Sequence, residues 1–495
     1  MSERDRPRAT PPPAAWWRRH PKLLVTLLVV VLAAAGGGVY ATWFRPPAAV
    51  YVTDGSHVFT ANLGRVEHLI QQENDRVAGT GLPYVGVAVL TPVNQDPDRT
   101  RHAIEGAYLA QFQANHPSGP GALRGAPLVR LLLADGGAPQ RSVAALEASA
   151  DSEHLVAVTG LGTGGAATTA AARELSGRHI AMVGAVVTDD ALPRLPGLVR
   201  VAPTDTDQAR AAVRFLDGNP DPRHPLPAAP RVWLVQDRNS VDVAATALGS
   251  VFPGALRSGL RHYQIVGPGT EYDSAVPGAA TLLSDRHSAD GVCRSRVDVV
   301  YVAGGGAGLR DALAGLARRS CAGTRHLTVL AGSDAVQLAG QPGLWSGTKA
   351  DMDVYVTGLA HPDVWRAQPK VADPAATAWF GTLPYGFGHL FPAERPTPGA
   401  ALRDGWAIMF HDSVLTAVDA VHVASPDPSR IPAAAAVAAA LGQVSAHGAS
   451  GYLCFDDAGD PIDKAVPILR LSADGTLTYR TVSSADGDPT VHACG

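Results

Sequence analysis

Residues 155–187, LVAVTGLGTGGAATTAAARELSGRHIAMVGAVV, read as strand, glycine-rich turn, helix and strand in one unbroken run. LVAVTG (155–160) is apolar, rich in β-branched side chains and too short for a helix. Gly160, Gly162, Gly164 and Gly165 interrupt it, Ala166 to Leu175 follows with helical spacing, and HIAMVGAV (179–186) closes the unit. Near-continuous apolar strands alternating with helices signify a parallel sheet covered on both faces.

The same alternation extends outward. YVGVAVL (84–90) precedes a helix over Arg101 to Ala114, and LVRLLLA (128–134) precedes one over Arg141 to Ala150. A second series begins near 231 with RVWLVQD (231–237), a helix over Val241 to Val251, HYQIVG (262–267), VDVVYVAG (297–304) and LTVLAG (327–332). Two doubly wound parallel-sheet lobes of α/β class, with a cleft between them, are therefore expected. The ending departs from the alternation. Two long helical stretches, Leu402 to Val423 and Ile431 to Ala446, precede GYLCFDDAGDP (451–461) and VPILRLSADGTLTYRTV (466–482), where Asp474–Gly475 marks a hairpin of antiparallel strands.

The chain has 495 residues, 41 basic against 45 acidic, with 46% hydrophobic and 17% charged. Such a balance excludes a disordered chain and a nucleic-acid binder that works through a basic surface. LLVTLLVVVLAAAGGGVYATWF (23–44) carries no charge over 22 residues, and as one transmembrane helix spans roughly 33 Å. Arg4, Arg6, Arg8, Arg18, Arg19 and Lys22 precede it, so the 1–22 tail is expected in the cytoplasm and the rest outside, on a single-pass cell-membrane anchor. A cleaved signal peptide is the competing reading, since Ala33 to Gly38 offers small residues. Residues 45–83 are expected to form a stalk, with Leu63, Val66, Leu69 and Ile70 at helical spacing and Asn62 as a cap.

All four cysteines fall in the part assigned to the oxidising side, where disulfides persist. Cys293 precedes the strand at 297–304 and Cys321 follows the helix-like Leu309 to Arg319, so strand and returning helix bring both to one side of a sheet. Cys293–Cys321 is the expected pair and Cys454–Cys494 the remainder; inert buried thiols are the alternative.

GVAVLTPV (86–93), AIEGAYLA (103–110), TGLGTGGAAT (159–168), MVGAVVTDDAL (182–192), MFHDSVLTAVDAV (409–421) and GYLCFDDAGDP, taken in order, resemble the type I periplasmic-binding proteins, specifically the branched-chain amino-acid receptors. The likeness covers most of 84–482 by element order, without a single diagnostic motif. The resemblance implies two lobes joined by a three-stranded hinge that close on a small solute. Carried over, lobe one is 84–202 with 357–447, lobe two is 204–355 with 451–482, and 483–495 is a tail.

The glycine loop offers backbone amides at a helix start, with Thr163 as an added donor: an anion seat, where the resembled family holds a ligand carboxylate. Gly162, Thr163 and Gly164 are thus candidate ligand contacts. Tight strand-to-helix packing is the plain structural reading, and a dinucleotide fingerprint is disfavoured by its place on the third strand, outside the membrane. By resemblance Val186 and Thr188 face the ligand, with Asp189 beside them; Thr188 and Asp189 read equally well as a helix cap. In lobe two the strand ends at Asn239, Val241, Gly306, Ser333 and Asp334 face the same crevice. The chain departs from the family in lacking aromatic side chains at Ser240–Val241 and Gly305–Gly306–Ala307, and in placing Ser333 where receptors carry an acid, with Asp334 one position on.

The histidines show no H-x-x-x-H or H-E-x-x-H pattern, no Cys/His spacing resembles a zinc site, and G-x-S-x-G and a P-loop lysine are absent. The expectation is therefore not an enzyme, without cofactor or metal. It is a membrane-anchored extracytoplasmic solute-binding protein, resembling the substrate-binding component of an amino-acid-type ABC transporter, with an ABC permease as partner. The alternative is a receptor or scaffold ectodomain of the same fold that recognises a cell-envelope protein.

Overall fold

The computed structural model describes residues 50–116, 127–218, 221–238, 243–259, 262–266, 269–273, 286–381, 386–392, 400–487 and 489. The expected tail 1–22, the membrane helix 23–44, Asn239, Val241 and Cys494 lie outside these.

The first sheet contains β1 (Val52–Thr53), β2 (Tyr84–Thr91), β3 (Leu128–Asp135), β4 (Leu155–Gly160), β5 (Ala181–Gly184) and β6 (Leu198–Arg200), in the order β1-β3-β2-β4-β5-β6. β2 to β6 run parallel, and β1 adds antiparallel to the β3 edge. Along β2 the alternation of a strand is visible in the packing. Val85, Val87 and Val89 enter one core, while Ala88 and Leu90 enter another on the opposite face.

The second sheet contains β7 (Arg231–Asp237), β8 (Gln264–Ile265), β9 (Thr270–Tyr272), β10 (Val299–Ala303), β11 (Leu327–Ala331) and β12 (Met352–Thr357). A two-stranded ribbon, β13 (Ala446–Gly448) with β14 (Gly451–Leu453), precedes its last strands, β15 (Val466–Leu471) and β16 (Leu477–Ser483). The order is β16-β15-β12-β11-β10-β7-β8, with β9 also on β7. β7 to β12 are parallel, and β15 and β16 are antiparallel around the Asp474–Gly475 turn. Val300 and Val302 pack to one side of β10, with Val299, Tyr301 and Ala303 on the other. The molecule is thus an α/β protein with two mixed sheets. The chain passes between them three times, after β6, after β12 and between β14 and β15.

Helices α1 (Gly64–Thr80), α2 (Pro97–Asn115), α3 (Pro139–Ser149) and α4 (Gly165–Gly177) accompany the first sheet, and α5 (Asp205–Asp217), α6 (Val243–Gly259), α7 (Arg286–Arg294) and α8 (Gly306–Ala317) the second. α9 (Trp406–Ala424) and α10 (Ala434–Ala440) return to the first. Among described helices, α9 alone is long and apolar enough to cross a membrane, yet 72% of its apolar window is buried inside the protein. It is a core helix lying against α2.

Four expectations are corrected. From Val52 on, the presumed stalk belongs to the first sheet: β1 pairs with β3, and α1 buries Val66 and Ile70 in its core, with Leu63 just before it. Asn62 does not cap α1; its amide donates to the Pro97 carbonyl. The helix expected over 402–423 is broken at Gly405, whose φ of 79° and close approach to the Ala360 carbonyl require the missing side chain. The next helix is shorter than 431–446, because Pro432 holds the residue before it extended and the last turn tightens at Leu441–Gln443. Cys293 and Cys321 form the expected disulfide. Cys454 is also disulfide-bonded, and the partner expected for it lies outside the described residues.

Candidate functional site

A cleft of about 420 Å³ opens between the two sheets at the carboxyl ends of their parallel strands, where open α/β sheets place ligands. Thr163, Gly164, Val186 and Thr188 line it from the first sheet, and Ser333, Asp334, Val336 and Gln337 from the second. Asp96, Arg99 and Thr100 come from the start of α2, and Asp404 and Trp406 from the start of α9.

The glycine loop follows β4 and opens α4 as the sequence suggested, with φ of 75° at Gly162, 116° at Gly164 and 85° at Gly165. Its N–H groups, however, are directed inward. Gly162 donates to the Leu90 carbonyl at 3.2 Å, Gly164 to Thr168 Oγ1 at 3.3 Å, and Gly165 to Asp189 Oδ2 at 3.3 Å. A side chain at Gly164 would meet Asp189 Cβ at 3.1 Å. Three amides of the expected anion seat are therefore engaged within the protein, that of Gly165 by the Asp189 carboxylate. What the loop presents to the cleft is Thr163 and the exposed part of Gly164.

Asp189 holds structure together. It is buried, accepts from the Ala191 N–H at 2.8 Å, and its carbonyl accepts from Arg200 Nη1 at 2.6 Å. Thr188 lines the cleft and hydrogen-bonds the Asp205 carboxyl. Burial pushes that carboxyl well above the usual carboxylate range; the Thr188 bond opposes the rise, while the charges of Asp190, Asp334 and Asp189 add to it. Asp207, two residues along α5, is raised by burial to about 6 against the lowering hydrogen bonds of Thr204. Gly306 opens α8 behind Gln337, and a Cβ there would fall 2.8 Å from Gln337 Oε1. Ser333 and Asp334 start a 3₁₀ turn after β11 and reach the cleft.

The sequence reading missed Asp96, Arg99, Asp404 and Trp406. Asp96 caps α2 by accepting from the Arg99 N–H at 3.2 Å, with Pro97 at the first helical position. That Asp-Pro-Asp-Arg start was a readable cap signal. The Arg99 guanidinium lies 5.5 Å from the Trp406 ring centroid, so an aromatic wall exists, supplied by α9 instead of the strand ends. Arg99 Nη2 has no hydrogen-bond partner among the described residues. Behind them His102 Nδ1 sits 2.6 Å from Asp404 Oδ2. Burial disfavours the His102 cation, but the hydrogen bond and charge of Asp404 outweigh it and hold the imidazole above its ordinary value.

At the third passage between the sheets, Asp412 is fully buried and accepts from the N–H groups of Ala449 and Ser450 (3.0 and 2.7 Å), the Ser450 hydroxyl (2.5 Å) and His411 Nδ1 (2.8 Å). Lys464 Nζ donates to Ser450 Oγ at 2.8 Å and to the Tyr452 carbonyl at 3.3 Å. This network ties α9 to the β13–β14 turn and to the segment leading into β15.

No protein-family model matches the sequence, and no curated protein matches it significantly. Solved structures do. A leucine-binding protein from Thermotoga maritima is 21% identical, with a TM-score of 0.54 over 81% of this chain and 99% of its own. An ABC-transporter substrate-binding protein from Aeropyrum pernix is 16% identical, with a TM-score of 0.56 over 82% and 98%. A solute-binding protein from R. palustris in complex with benzoate is 12% identical, with a TM-score of 0.54 over 83% and 99%. The chain has the fold of the type I periplasmic-binding proteins, branched-chain amino-acid receptors among them.

Proposed function

We propose that the chain is an extracytoplasmic solute-binding protein, tethered by residues 23–44, that closes two lobes on a small polar solute. The observation that carries this reading is the cleft itself. Its two walls come from the strand ends of separate sheets, and its volume suits a small molecule. In this reading lobe one is 52–202 with 357–447, lobe two is 204–355 with 451–482, and the three connecting segments are the hinge. Thr163, Val186 and Thr188 meet the solute from one side and Ser333 and Asp334 from the other. Arg99 and Trp406 supply the ion-pairing and apolar contacts that the glycine loop and the strand ends do not.

Calorimetry and thermal-shift measurements on the full-length chain against amino acids, small peptides, amides and aromatic carboxylates test it. At least one solute is expected to stabilise the protein, and Arg99→Ala and Asp334→Asn to weaken its binding at least about tenfold, the worth of one charge-assisted hydrogen bond. A broad panel with no stabilising solute refutes it.

One observation favours a second reading, an ectodomain of this fold that recognises an envelope protein without transport: the amides of Gly162, Gly164 and Gly165 are engaged internally. Recovery of permease subunits with the tethered protein supports transport, and recovery of other envelope proteins without them supports recognition.

A further inference from the structure

At the amino ends of the parallel strands of the second sheet, away from the cleft at their carboxyl ends, three segments remote in sequence bring two histidines and three aspartates together. His224 lies on the turn after α5, His326 precedes β11, and Asp351 and Asp353 flank the start of β12. The donor atoms of His224, His326 and Asp351 lie within 4.8 Å of one another, as do those of Asp221, His224 and Asp353.

Both rings have one nitrogen held by a carboxylate. His326 Nδ1 lies 2.9 Å from Asp351 Oδ1, and His224 Nδ1 lies 3.2 Å from Asp221 Oδ2. A carboxylate on Nδ1 fixes the tautomer that leaves Nε2 with its lone pair, the outer-shell arrangement of metal-bound histidines. Among the described residues neither His326 Nε2 nor Asp353 Oδ2 has a hydrogen-bond partner, and the two lie 3.7 Å apart. Asp353 is only 3% exposed, and its other oxygen is held by Arg470. A buried, half-satisfied carboxylate facing a bare imidazole nitrogen is costly unless something bridges them.

We propose that His224, His326 and Asp353 form a binding site for a borderline transition-metal ion of the Zn²⁺ type, with Asp351 orienting the His326 imidazole. Two nitrogens and one oxygen suit such an ion better than Ca²⁺ or Mg²⁺, which take oxygen ligands. The rings are stacked, with centroids 3.9 Å apart and planes within 9°. To converge on one ion, His224, on the more exposed turn, rotates about its Cβ–Cγ bond and exchanges its Asp221 contact for the ion. The ion then pins the 221–224 turn to the amino end of the sheet. Sequence spacing does not reveal the site, because its ligands are drawn from three separate segments.

The test uses the full-length chain without a histidine tag, stripped with a chelator and titrated with Zn²⁺ against a chromophoric chelator, and with Co²⁺ by visible absorption. One equivalent of Zn²⁺ is expected, with Co²⁺ bands of a low-coordinate nitrogen/oxygen site. His224→Gln, on the exposed turn, should keep the unfolding transition of the stripped protein and weaken Zn²⁺ binding at least about tenfold; His326→Gln should abolish it. Absence of uptake, or uptake unchanged in both variants, overturns the proposal and leaves an ion-pair network.

Discussion

Replacing Asp412 by asparagine removes the buried anion that faces Lys464 across Ser450. Lys464 is 1% exposed. Burial lowers its ammonium from the ordinary 10.5 to about 8, with Asp412 opposing the fall. At about 1.4 kcal/mol per pH unit, holding that cation in the fold already costs about 3 kcal/mol at neutral pH. Without Asp412 the cost grows, so Asp412→Asn should lose about 3–5 kcal/mol, as when one partner of a buried pair is removed. Lys464→Met should cost much less, about 1 kcal/mol, because Asp412 keeps its donors from Ala449, Ser450 and His411. The pH dependence follows from a depressed lysine. Between about 8 and 10.5 the folded protein has lost the proton that the unfolded chain still binds, so this group's contribution to stability rises with pH across that window. Lys464→Met should lack that rise. Urea denaturation of both variants from neutral to alkaline pH measures each quantity. A loss below about 1 kcal/mol in Asp412→Asn, or a larger loss in Lys464→Met, would refute the reasoning.

Other consequences are as direct. A Cβ on Gly106 would fall 1.9 Å from the Ala407 carbonyl, so Gly106→Ala should force α2 and α9 apart and lower stability by about 1–3 kcal/mol, read as a shift in urea midpoint. His102 is raised by Asp404, so its contribution is full below its unfolded value and lost as pH rises through the folded one; Asp404→Asn should flatten thermal stability against pH across that range. Breaking Cys293–Cys321, which closes a segment of 28 residues, should cost about 3–4 kcal/mol by chain entropy, measured with Cys293→Ser/Cys321→Ser in denaturant.

The sequence alone determined the local pieces. Apolar runs of strand length alternating with helices specified parallel sheets buried on both faces, because side-chain period and burial are set by near neighbours. Asp474–Gly475 marked the last hairpin, and a strand followed by a returning helix was enough to pair Cys293 with Cys321. Even the glycine turn at 160–165 was legible, although its left-handed backbone at Gly160, Leu161, Gly162, Gly164 and Gly165 was not. Tertiary structure alone decided what those pieces touch. The Gly165 N–H is taken by an aspartate 24 positions away, and His102 finds Asp404 across 302 positions. The apolar pattern of 402–423 is continuous, yet the helix breaks where Gly405 presses on Ala360. Periodicity fixes which face of an element is buried, but not the register and angle at which two faces meet. Those two quantities placed Arg99, Asp404 and Trp406 in the cleft and turned the glycine amides away from it.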